Sequence, residues 1–116
     1  MLEALPTVEA LFAGKDPVVT AIYERLLAVL QACGPFTVEP KKSSLHLVRN
    51  SGFAGVHPRK SYLYLNMRLD HAIASARVAK TEQVSRNRYH NEIKLTAPDD
   101  VDGELASWLQ AAYALG

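Results

Sequence analysis

The chain has one cysteine, Cys33, so no disulfide can form within it. A single thiol fits a reducing compartment. Long apolar runs are also missing. Nothing approaches the roughly 18 consecutive apolar residues of a membrane-spanning helix, and the opening Met1–Ala4 carries no basic segment of the kind that starts a signal peptide. The expectation is a cytoplasmic protein with no membrane partner. Metal-ligand signatures such as His-Glu-x-x-His or paired Cys-x-x-Cys are absent, as is a glycine-rich phosphate loop. No metal, cofactor or catalytic residue is assigned on sequence grounds. Acids are scarce in the middle of the chain. Residues 41–94 hold eleven Lys/Arg against three Asp/Glu, a net +8, while the flanks together carry −7.

What is present reads as one domain over residues 1–116, with a short N-terminal helical segment (1–15) and an α+β core (16–116). The length, 48% hydrophobic residues and 22% charged residues suit a single globular core. Thr7 caps a short helix through Leu11 and Phe12, ended by Gly14. Asp16-Pro17 opens a long helix whose stripe is Val19, Ile22, Tyr23, Leu26, Leu27, Leu30 and Cys33. Gly34-Pro35 stops it. Cys33 completes this stripe and reads as a buried, inert thiol.

The hydrophobic period then changes from near 3.6 to 2. Strands are expected over residues 36–39, 43–49, 52–57 and 62–69, then 77–84 and 88–95, with turns at Asn50-Ser51-Gly52, Pro58–Ser61 and Ser85–Asn87. Pro40 confines the first strand to an edge. The register that buries aliphatics sets Leu47 against Ala54 and Leu45 against Val56. Continuing it sets Val56 against Leu63 and His57 against Tyr62. In the last hairpin, Lys80 meets Glu92 and Glu82 meets His90. Asp70 and His71 are expected to diverge, as neighbours on a strand end do. Pro98 and Asp99-Asp100 mark the start of a closing helix with the stripe Val101, Leu105, Trp108, Leu109 and Ala112. Its acids are explained by the helix start. The expected fold is an antiparallel five- or six-stranded sheet, a meander plus a hairpin, with the long N-terminal helix and the C-terminal helix packed on one face.

The order of these pieces resembles the bacterial domain of unknown function 5655 family. The residues carrying the resemblance are Ala21–Leu26, Gly34-Pro35, Lys42–Leu47, Phe53–Lys60, Arg88-Tyr89-His90, Trp108-Leu109 and Ala112-Tyr113. It spans about Thr7 to Tyr113. The resemblance implies an α+β domain and brings no reaction, cofactor or catalytic residue.

The same register leaves a second sheet face bearing His, Tyr and Arg. Lys42, His46, His57, Tyr62, Tyr64, Asn66, Arg68, Arg88 and His90 are expected there, with Lys41, Arg59, Lys60 and Arg86 at strand ends and turns. Val48 and Phe53 also fall on it, and Gly55 leaves a dent beside His46 and Tyr64. Bases interleaved with aromatics on a sheet follow the stacking-plus-charge pattern of single-strand binders. The leading expectation is a small binding or accessory module that holds an anionic partner, such as nucleic acid, on this face. A homo-oligomer that uses the face as its interface, such as a homodimer, is the alternative. An enzyme working between His46 and His57 is a second one.

Overall fold

The computed structural model describes residues 7–116. Helix α1 (Val8–Phe12) is capped by the Thr7 hydroxyl, which accepts from the amide of Ala10 at 3.1 Å. Helix α2 (Pro17–Cys33) follows, with Asp16 at its N-cap and proline in its first turn. Six strands come next: β1 (Thr37–Pro40), β2 (Leu45–Val48), β3 (Gly52–Pro58), β4 (Leu63–Leu69), β5 (Val78–Ser85) and β6 (Arg88–Leu95). A 3₁₀ turn over Pro98–Asp100 precedes helix α3 (Gly103–Leu115). The closing helix therefore starts later than the aspartate pair suggests. Asp102 is its cap, accepting from Leu105 N–H at 3.0 Å. Asp100 instead closes the turn, accepting from the amides of Thr96 (2.8 Å) and Ala97 (3.1 Å).

The strands form one antiparallel sheet in the order β1-β2-β3-β4-β6-β5. Both long helices cover one face. Val19, Ile22, Leu26 and Leu30 of α2, and Leu105, Leu109 and Ala112 of α3, are fully buried with Leu45, Leu47, Val56, Leu63, Leu65, Met67, Ile93 and Leu95 of the sheet. Apolar burial on this scale is the main stabilising contribution to such a fold. Cys33 is only partly buried, at the end of the α2 stripe.

Two expected registers are corrected. Val56 lies opposite Leu65 and His57 opposite Tyr64, two residues along β4 from the expected partners. Pro58 is a buried strand residue facing Leu63, and Arg59 N–H bonds Tyr62 C=O at 2.8 Å, so the turn tightens around Lys60-Ser61. A shift of two preserves which face each side chain takes, and the aliphatic face is unaffected. The second correction is a β-bulge. Leu47 pairs with Ala54 but Val48 pairs with Gly52, leaving Phe53 as an extra residue. The bulge turns Phe53 into the core, fully buried, edge-on to Tyr113 with ring centroids 5.5 Å apart. The expectation that Phe53 lies on the open face fails for this reason. In the last hairpin the pairs Lys80–Glu92 and Glu82–His90 are as expected.

Candidate binding face

The face away from the helices is built by alternation. In β2 and β3, His46 and His57 point outward because Leu45, Leu47, Val56 and Pro58 point inward. In β4 the outward set is Tyr64, Asn66 and Arg68. In β6 it is His90, Glu92 and Lys94. Neighbouring strands align these side chains in rows. One row runs Glu39–His46–Gly55–Asn66–Glu92–Lys80. Beside it on one side runs His57–Tyr64–Lys94, and on the other Arg68–His90–Glu82.

The centre of the face is concave. A depression of about 300 Å³ is lined by His46, His57, Asn66, Arg68 and His90, together with residues Gly52 to Gly55 of β3. The absent side chain of Gly55 creates it. A methyl group there would sit 3.4 Å from His57 Nε2 and 4.0 Å from Asn66 Cβ, so anything larger would fill the hollow. The dent lies beside His46 and Asn66, rather than Tyr64, because of the two-residue register shift.

His57 is half-buried beside this hollow. Burial pushes its basicity below the ordinary imidazole value, the nearby charges of Arg59 and His46 push the same way, and Glu92 opposes them. The lowered basicity favours the neutral ring of His57. Arg68 reaches the hairpin end, where its guanidinium donates to Ser51 Oγ at 2.7 Å and to the Leu115 carbonyl at 3.3 Å. Burial, and then the charge of Arg88, lower its basicity from the usual arginine value. Arg88 stands with Arg68 and Asp70 around a smaller hollow of about 110 Å³.

At the other end of β4, the rings of Tyr62 and Tyr64 meet edge to face at 5.5 Å. Lys94 Nζ lies 4.2 Å from the Tyr62 ring centre, and the Arg59 guanidinium 5.9 Å from that of Tyr64. Lys94 is absent from the expected set. The alternation that places His90 and Glu92 outward also places Lys94 outward, and its charge was the available signal. Glu92 is likewise part of the central row.

Not every expected residue joins this face. Lys60 turns to the helical side, donating to the Gly14 carbonyl at 2.8 Å and pairing with Asp16 at 3.4 Å. Lys42 is exposed in the β1–β2 turn and Arg86 in the β5–β6 turn. Lys41 pairs with Glu39 at 3.7 Å. Asp70 and His71 do pair, Oδ1 to Nδ1 at 2.7 Å, because they lie in the bend after β4 instead of on a strand. Both are exposed and away from the central hollow. Among the described residues, no group of three His, Cys, Asp or Glu side chains is placed to hold a metal ion, and no helix is long and apolar enough to cross a membrane.

Cations therefore sit at two ends of the open face, with imidazoles and an amide between them. A family model described as a domain of unknown function (DUF5655) matches residues 8–116. No curated protein and no solved structure matches the chain.

Proposed function

The chain belongs to the DUF5655 family, and from the geometry of its open face we propose that it is a binding module that holds an anionic partner, single-stranded nucleic acid foremost, on that face. One observation carries this reading. A hollow lined by His46, His57, Asn66, Arg68 and His90 lies between two cationic ends on a face that no described helix covers.

The spacing favours an extended anion over a compact one. Tyr64, flanked by Arg59 and Lys94, and Arg68 are four residues apart on β4, about 13 Å at the rise of a strand. A single phosphate does not span that distance, whereas a polynucleotide backbone does. Between the two ends, Asn66 offers both a donor and an acceptor to a base edge. The tyrosine pair supplies ring surface for stacking. Glu39, Glu82 and Glu92 interrupt the positive charge and confine a polyanion to the β4 line instead of the whole face.

Fluorescence anisotropy of a labelled single-stranded oligonucleotide, followed over a salt series, tests this. Contacts from Arg59, Arg68, Arg88 and Lys94 predict a log–log salt slope of about −3. Absence of binding at low salt would overturn the reading.

A second reading rests on the neutral His57 beside His46. A deprotonated imidazole in a concavity is equipped to take a proton from a substrate. Cleavage of the oligonucleotide by the wild-type protein, lost in His57→Ala, would favour it. Oligonucleotide that stays intact through prolonged incubation would leave binding alone.

A further inference from the structure

We propose that β5 is an interface between two copies of this chain, pairing antiparallel with β5 of a second copy about a twofold axis at Thr81. β5 is the outermost strand, bonded to β6 along one edge only. Its residues from Ala79 to Ser85 are exposed, because helix α3 lies over β3 and β4 rather than over this edge. Val84 is 43% exposed, one of two large exposed hydrophobic residues among those described. An edge strand of this kind offers a row of unpaired backbone donors and acceptors to another strand.

The sequence of β5 is self-complementary in one register. With Thr81 opposite Thr81 of the second copy, Lys80 faces Glu82 of that copy and Glu82 faces its Lys80. The neighbouring registers that keep the ladder in phase set lysine against lysine or glutamate against glutamate, and like charges directly opposite are unfavourable. Bulges between Val78 and Lys80 and between Gln83 and Ser85 bound the regular stretch, so register is fixed over Lys80–Gln83. The charges that repel other strands thus select this one. Lys80 also lies opposite Glu92, and Glu82 opposite His90, within the chain. Across the interface the open face would read Glu92–Lys80–Glu82–His90, with Lys80 between two carboxylates. A twofold axis normal to the sheet gives an isologous contact. It sets both open faces on the same side of a twelve-stranded sheet.

Analytical ultracentrifugation of the purified chain over a concentration series tests the pairing. The wild-type protein is expected to dimerise. Lys80→Glu and Glu82→Lys are each expected to be monomeric, with unchanged circular dichroism. An equimolar mixture of the two is expected to regain a dimer. Both charged positions of β5 are acidic in the first variant and basic in the second, so opposite charges meet on both sides of the axis. A wild-type protein that stays monomeric throughout, or a dimer insensitive to both substitutions, would overturn the proposal. Either result is independent of whether the open face binds an anion.

Discussion

A methyl group on Gly55 would lie 3.4 Å from Nε2 of His57, close enough to touch without displacing the ring. The hollow on the open face therefore depends on one missing side chain. Gly55→Ala is expected to fold at least as well as the wild type, since glycine weakens a strand interior. Gly55→Leu is expected to keep the fold and weaken oligonucleotide binding tenfold or more, because its side chain occupies the hollow. Anisotropy beside thermal unfolding checks both. Undiminished binding by Gly55→Leu would place the ligand elsewhere.

The pH dependence follows from His57. Its folded-state basicity lies below the ordinary value of 6.5, mainly through burial. The folded protein thus takes up fewer protons there than the unfolded chain once the pH falls below that value. The contribution of His57 to stability is intact above pH 6.5 and is lost as the pH drops through the folded-state value. Urea midpoints measured across this range should fall less steeply in His57→Asn than in the wild type. Anion binding carries the opposite sign, since a nearby phosphate favours the imidazolium. Affinity should rise as the pH is lowered through the same range.

Tyr113 and Gly34 predict a steric lock between α3 and the end of α2. Gly34 has φ 143°, and a Cβ there would stand 2.6 Å from the Tyr113 hydroxyl, which donates to the Pro35 carbonyl at 2.9 Å. Gly34→Ala should destabilise the protein by about 2 kcal/mol or more, from backbone strain and this clash. Tyr113→Phe alone should cost about 1 kcal/mol for the lost hydrogen bond. The double variant should cost less than the two single costs added together, because the hydroxyl that clashes is gone. Urea unfolding of the four proteins measures this.

Most of the architecture was legible because it rests on periodicity and charge. The stripe from Val19 to Leu30 announces α2, and the Lys80–Glu92 and Glu82–His90 pairs set the β5–β6 register. The β3–β4 register was not legible. Val56 against Leu63 and Val56 against Leu65 bury the same face, and only the tightness of the turn beyond Pro58 separates them. A bulge inserts a residue without any change in composition, so strict alternation assigns Phe53 to the wrong side. The histidines of the hollow were legible as outward positions. Its depth was not, since it depends on which residues of β4 stand beside Gly55.

Asn91 is a polar residue on the core face that no pattern singles out. It is fully buried. Its Oδ1 accepts from Ile73 N–H at 3.0 Å and from the Thr81 hydroxyl at 3.2 Å, and its Nδ2 donates to the His71 carbonyl at 3.1 Å. It thereby ties the loop after β4 to β6 and β5. Asn91→Leu leaves the Ile73 amide without its acceptor and should cost about 1–3 kcal/mol. Hydrogen exchange should show faster exchange at Ile73 in the variant.

The most direct measurement is an NMR titration of the isotope-labelled protein with a short single-stranded oligonucleotide. Binding on the open face predicts that amide shifts concentrate on the outward residues of β2, β3, β4 and β6, with His46, Gly55, His57, Asn66, His90 and Lys94 moving most. Added salt should reverse them. Shifts confined to the outer surfaces of α2 and α3, or none at low salt, would contradict it.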